Sequence, residues 1–517
     1  MIARHYLDAL DAVPGDADAI GIRERAVAAL TRAAERAGRT GAPAVAAASY
    51  ATAAQLTQTG THDGELAAAA LWEHAARAAH INADWATSLE QARRAGDLYR
   101  RCDDARAAAR AQVIAGQALR EWGRHSEARE QLTAAVTVLR EDPDADTVQA
   151  LGQLAVLDVY AGAPEADPLS AEALALGQDL AVDDATLASL FTTRGMCQNY
   201  TYRRPQAVAS FREAARLAEQ AGDTARLGRA LVTLADAVTG TDPAAAADAA
   251  RAAAAHLRRT GARNDLAIAV MNLVQALLMT GDWDTAEAEL AQALDADGLA
   301  DIGSLACYRA WLAALRGDTP TAQAILAGLA DLRASEDTQD QANVAVAEAL
   351  TAAARSQPAD ALRCARAALS LAGALPIDNE FLRWAWPLAA RGAYDLADTA
   401  TATELLDLLD GYRPEQLAPM QRAERDLARA RLTAADGGPD AGAAFAAAIT
   451  GLRQHSTPYH LAHGVLDHAA YLLRVGDDEA AGPAIDKATG IAEQLRCQPL
   501  LDRADTIQPG RPRTPAS

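Results

Sequence analysis

The stretch AIAVMNLVQALLMTGDWDTAEAELAQAL, Ala267–Leu294, decides the fold. It reads as two antiparallel helices joined by a tight turn at Gly281-Asp282. Leu273 and Leu277 lie eight and four residues before Gly281, and Ala286, Leu290 and Ala293 lie five, nine and twelve after it. Each spacing has a packing reason. Glycine takes the left-handed conformation that ends a helix without a Cβ penalty, and Asp282 then caps the next helix. The small Ala286 and Ala293 let the two backbones approach, while the three leucines fill the seam between them.

The same unit recurs along the chain. The set Ala115, Gly116, Leu119, Ala128, Leu132 and Ala135 surrounds Gly123, and Ala33, Ala34, Ala37, Ala46, Tyr50 and Ala53 surround Gly41. Weaker copies centre on Gly317 and Gly476, with Arg309 and His468 at the position of the first seam leucine. Other pairs keep only the small–bulky–small second helix, as in Ala207/Phe211/Ala214 and Ala441/Phe445/Ala448. First helices are predicted to start near 22, 65, 103, 145, 184, 223, 262, 299, 337, 378, 415 and 457, a spacing within the range of helical repeats. The predicted fold is all-α: a right-handed α-solenoid of about twelve antiparallel helix pairs. Residues 1–21 are read as an N-terminal helix (Ile2 to Ala12) and a Pro14-Gly15-Asp16 turn, 22–497 as the repeats, and 498–517 as a mostly disordered tail.

On these residues the chain resembles tetratricopeptide repeats in a longer-helix variant. It is similar in particular to the repeat region that follows the head of bacterial nucleotide-cyclase and signal-transduction ATPase regulators. Residues 5–37 resemble the head-to-repeat junction of that class, and 480–495 its final repeat. The large first-helix aromatic of the family is mostly lost, with Trp386 retaining it if Ala397 occupies the turn in place of glycine. The likeness implies a bacterial, cytoplasmic signalling or transcription-regulating module that contacts proteins. Subtypes that clamp a chaperone's C-terminal peptide use inner-face cations, and a chain with the single lysine Lys487 does not match them.

Composition narrows the function. Half of the 517 residues are apolar but only 4% are aromatic, so alanine-faced helices, not large separate cores, must supply the burial. With 48 basic and 69 acidic residues the net charge is −21, which disfavours nucleic acid and anionic membranes as partners. The clusters Arg93-Arg94, Arg100-Arg101 and Arg258-Arg259 read as solvated helix faces. Five dispersed cysteines form no disulfide or zinc pattern. The start lacks a secretory signal pattern, and no run is long enough to span a membrane.

Catalytic motifs are missing too. Lys487 lies outside any GxxxxGK[ST] loop, and GxGxxG, HExxH and GxSxG do not occur. His460 and His463 share a helix face without an obvious third metal ligand, so neither a metal nor a cofactor is assigned. Acidic pairs such as Asp103-Asp104, Asp183-Asp184 and Asp477-Asp478 are expected to be helix caps, not catalytic carboxylates.

Binding is the better expectation. First-helix positions that do not serve the seam should line a concave groove. They give Gln117, Arg120, Asn199, Tyr200, Gln275, Trp311, Trp384, Arg391, Tyr394 and His463 as candidate contacts. Trp311 and Trp384 read either as anchors for a ligand or as packing against the next repeat. The sequence therefore predicts a non-enzymatic scaffold or sensor that binds a protein or peptide in its groove. The alternative is a small-molecule sensor with its ligand inside the superhelix.

Overall fold

The structure, a computed structural model, describes residues 2–12, 16, 18–58, 60–161 and 163–507. Among these, all regular structure is helical. After the N-terminal helix Ile2–Ala12 come twelve hairpins. The first six are Ala19–Arg39 with Pro43–Thr57, His62–Ile81 with Trp85–Arg101, Ala105–Glu121 with His125–Leu139, Ala145–Tyr160 with Ala166–Asp179, Asp184–Tyr200 with Arg204–Gln220, and Thr224–Thr239 with Pro243–Thr260. The next three are Arg263–Thr280 with Trp283–Ala291, Gly303–Arg316 with Thr319–Ala327, and Thr338–Ala354 with Pro358–Leu369. The last three are Glu380–Asp395 with Thr399–Asp410, Pro419–Ala435 with Ala441–His455, and Pro458–Val475 with Asp478–Gln494. Each first helix begins within a few residues of its expected start.

The seam residues behave as their spacing requires. Leu273, Leu277, Ala286, Leu290 and Ala293 are all buried, as are Ala207, Phe211 and Ala214. The expected caps form: the carboxylates of Asp282, Asp183, Asp104 and Asp477 accept backbone N–H groups three residues on. Ala397 stands at its turn with φ of 53°, the left-handed role that glycine fills elsewhere. In two of the arginine clusters, Arg94 pairs with Glu90 and Arg100 with Asp97 on the surface.

The chain divides into two compact units, Met1–Leu234 with Arg251–Ala269, and Ala235–Ala250 with Val270–Ser517. The single repeat domain expected over 22–497 does not anticipate this division, since hairpin periodicity reports only nearest-neighbour packing. Residues 498–507, expected in the tail, instead form the helix Gln498–Ile507 with Leu500 and Ala504 buried. The expected disorder of 508–517 and the turn at Pro14-Gly15 fall outside the described residues.

Within the second unit the first hairpins meet the last. A Cβ on Gly281 would lie 2.9 Å from Pro458 Cγ, and Arg316 donates to the Leu495 carbonyl at 2.6 Å. Gly281 and Gly476 both have positive φ, 86° and 83°, but no atom would meet a Cβ on Gly476. Gly476→Ala should therefore cost only the left-handed penalty of about 1 kcal/mol. Gly281→Ala should cost about 2–3 kcal/mol, because the clash with the rigid proline ring adds to that penalty. Urea midpoints of the two variants check this, and equal losses would mean that the packing at Pro458 does not matter.

Candidate functional site

Three successive first helices of the second unit carry polar side chains at heptad spacing, which stacks them on one helix face. They are Trp384 and Arg391 on Glu380–Asp395, Glu424 and Arg431 on Pro419–Ala435, and His460 and Asp467 on Pro458–Val475. His463 lies on the same helix as His460, and Arg503 comes from Gln498–Ile507. All but Arg503 are buried, so this is a charged cluster inside an otherwise alanine- and leucine-rich unit.

Asp467 is its anchor. One of its carboxylate oxygens accepts from Arg431 Nε at 2.8 Å and from Arg431 Nη2, and the other accepts from Arg503 Nη2. Arg391 Nη1 stands 3.6 Å away, an ion pair without a hydrogen bond. Burial works to raise the Asp467 carboxyl, but the guanidiniums of Arg431, Arg503 and Arg391 outweigh it and hold it below the usual carboxylate range. Arg431 also lies over the Tyr394 ring, 5.1 Å from its centroid.

Around this anchor several polar atoms are sealed from solvent without hydrogen bonds: Nη1 and Nη2 of Arg391, Nε2 of His460 and of His463, Oε1 of Glu424, and Nε1 of Trp384. Arg391 is 9% exposed, and Glu424 and His460 are each 1%. Burial pushes Arg391 down to about 10, with Arg431 adding to the effect. Burial also pushes Glu424 up to about 7, against the pull of Arg391 and Arg431.

Both histidines are held well below their usual pKa by burial and by Arg391, so the rings are neutral. The hydrogen-bond network assigns the His463 proton. Arg503 can only donate, and its Nη1 lies 2.8 Å from His463 Nδ1, which leaves the ring proton on Nε2. The Thr457 hydroxyl accepts the His460 backbone N–H at 3.1 Å and also meets His460 Nδ1 at 2.7 Å, a contact that fits either tautomer. Trp384, Arg391 and His463 thus present unpartnered N–H donors.

Aromatic packing extends the cluster. The Trp384 ring lies 4.8 Å from His460 and 5.6 Å from Trp311, and Tyr459 lies 4.6 Å from His463. Trp311 in turn stacks near Tyr308, whose hydroxyl accepts from Gln275 Nε2 at 3.1 Å and donates to Glu380 at 3.2 Å. Gln275, Trp311, Trp384, Arg391, Tyr394 and His463 are therefore brought together in one connected network. The remaining predicted contacts belong to the first unit. Gln117 is half-buried, Arg120 is buried and paired with Glu121, Asn199 is buried near Arg204, and Tyr200 packs against Val159, Ala166 and Cys197.

Burial corrects the expectation of open, groove-facing side chains at several positions. Gln275, Trp311 and Trp384 are fully enclosed, and Arg120, Asn199, Arg391 and His463 are nearly so. In the second unit the reason is tertiary: Trp384 packs on Tyr459 and His460, Trp311 donates to the Asn343 carbonyl, and Gln275 to the Tyr308 hydroxyl. Sequence reasoning also missed Glu424, Arg431, Asp467 and Arg503 as members of the site. Glu424 and Arg431 lie thirteen and six residues before Gly437, the same offsets from a turn that selected Trp384 and Arg391. Counted from Gly437, Ala441, Phe445 and Ala448 fall four, eight and eleven residues on, one short of the template offsets, which hid the register. Among the described residues no group of three or more His, Cys, Asp or Glu is placed to hold a metal ion, and no helix is long and apolar enough to cross a membrane.

No protein-family model and no curated protein matches the chain. Among solved structures it is similar to a Rap protein complexed with competence and sporulation factor, at 12% identity over 67% of this chain and 97% of that one, with TM-score 0.50. It also matches aspartyl phosphate phosphatase F from Bacillus subtilis (13% identity, 69% and 94% covered, TM-score 0.43) and yeast Tom70 (13%, 94% and 96%, 0.32). The likeness to the Rap protein is one of fold. This chain is a helical-repeat protein.

Proposed function

We propose that the chain is a non-enzymatic regulatory repeat protein whose second unit encloses a small-molecule ligand. The observation that carries this reading is Arg391, a buried guanidinium with both Nη groups lacking hydrogen bonds and two further sealed N–H donors, on Trp384 and His463, around it. An unsatisfied buried charge is strongly destabilising unless something completes its hydrogen bonds. A cluster with three guanidiniums and two carboxyls, one of them already saturated, favours a ligand bearing an anionic group.

Such a ligand would act as a regulator if it binds the closed unit better than an open form. A saturating ligand at about 100 Kd adds about 2.7 kcal/mol to stability. Thermal unfolding across a panel of anionic metabolites should show a rise in midpoint for wild type and none for Arg391→Gln. A rise that survives in Arg391→Gln would remove this assignment.

A second reading has the chain bind a protein or peptide, with Gln117, Arg120, Asn199 and Tyr200 as contacts in the first unit. It is favoured by the complex in which the similar Rap protein was solved. Co-purification of a protein from the native host, lost on changing Gln117 and Tyr200, would support it. In either reading the wider role is a cytoplasmic sensor or scaffold in a bacterial signalling or transcription-regulating system, as in the cyclase and ATPase regulators its repeats resemble. Gene neighbourhood tests that assignment.

A further inference from the structure

We infer that the ligand of the second unit is a free α-amino acid, its carboxylate received by Arg391 and the His463 Nε2–H donor and its ammonium by Glu424. This rests on the ligand-site reading above and names the chemical class. The cluster is two-sided. On one side stand Arg391 and the Nε2–H group of His463, donors without acceptors. On the other stands Glu424, whose sealed Oε1 lacks a donor. Arg391 is the first of the guanidiniums acting on Glu424, yet among the described residues no ion pair joins the two. Each needs a partner that the other does not supply.

Simple ligands satisfy only half of this. Inorganic phosphate would meet Arg391 but bring further negative charge toward Glu424. A plain carboxylic acid would meet Arg391 and leave Glu424 Oε1 unpartnered, and an amine would do the reverse. Leaving a buried charged partner unmade is the expensive outcome in each case. A zwitterion with acceptor and donor on adjacent carbons meets both needs and adds no net charge to a buried place. The rings of Trp384 and Tyr459, both packed on His460, offer an apolar surface for the side chain.

The experiment is isothermal titration of the full-chain protein with the common L-amino acids, each beside its des-amino acid and its decarboxylated amine, and with inorganic phosphate. At least one amino acid should bind about 100-fold more tightly than either of its analogues, since a site built for a polar group rejects the ligand that lacks it. Arg391→Gln should lose that binding. Glu424→Gln, a near-isosteric change that keeps the fold, should bring the amino acid and its des-amino acid to within about tenfold of each other. Phosphate or des-amino acids binding as well as amino acids, through Arg391, would overturn the amino-acid assignment and leave the ligand site standing. No probe binding wild type in an Arg391-dependent way would overturn both.

Discussion

Replacing Asp467 by Asn should lower stability by about 3–5 kcal/mol, the largest loss expected from any conservative change in the second unit. Asp467 accepts from Arg431 and Arg503 and pairs with Arg391, so its removal takes the shared carboxylate from three guanidiniums. Chemical unfolding at neutral pH, read by tryptophan fluorescence, gives the number. A loss below about 1 kcal/mol would mean that the cluster is not the anchor described.

The pH dependence carries the same signature. The folded Asp467 carboxyl is held below its unfolded value of about 3.9. Its contribution is therefore present above about pH 4 and is lost as pH falls through the folded value, a loss Asp467→Asn should not show. Glu424 runs the other way. Raised to about 7 in the fold, its contribution is full below about 4.3 and declines as pH rises to about 7. His460 and His463, held well below 6.5, contribute above that value and lose it as pH falls, which opposes Glu424 in the same window. Comparison of Glu424→Gln with wild type between pH 4 and 8 isolates the carboxyl. The variant should lack the decline, and an unchanged slope would count against the enclosed position of Glu424.

The second large effect concerns Trp384. Fully buried and packed on Trp311, Tyr459 and His460, it should cost about 3–5 kcal/mol on change to Ala. Trp122, 44% exposed with Arg124 lying over its ring, should cost less than about 1 kcal/mol by the same change. The contrast separates two readings that sequence spacing leaves equal. If Trp384→Ala were as mild as Trp122→Ala, Trp384 would be an open surface anchor and not part of the interior.

Much of the fold was legible because its signals are local. Gly281 and Asp282 punctuate a hairpin wherever they occur, and small residues five and twelve positions later face the preceding helix whatever else the chain does. Ala397 was legible as a turn by register alone. The site was legible only in part. Trp384, Arg391 and His463 were selected because they sit at fixed offsets from a turn, but the offsets report a helix face and not what covers it. Glu424 and Arg431 escaped because the second helix after Gly437 falls one residue short of the template register.

The sequence by itself determined a chain of alanine-seamed helical hairpins, their number, their caps and the inner faces they present. Those features depend on interactions between residues near in sequence, which periodicity records. Only the tertiary structure decided that the chain falls into two compact units, and that in the second the turn at Gly281 meets Pro458 while Arg316 reaches the Leu495 carbonyl. That closure joins segments far apart in the chain, for which no local pattern exists. It turns inner-face side chains into a buried polar interior, and burial is what gives Arg391, Glu424 and the two histidines their chemistry.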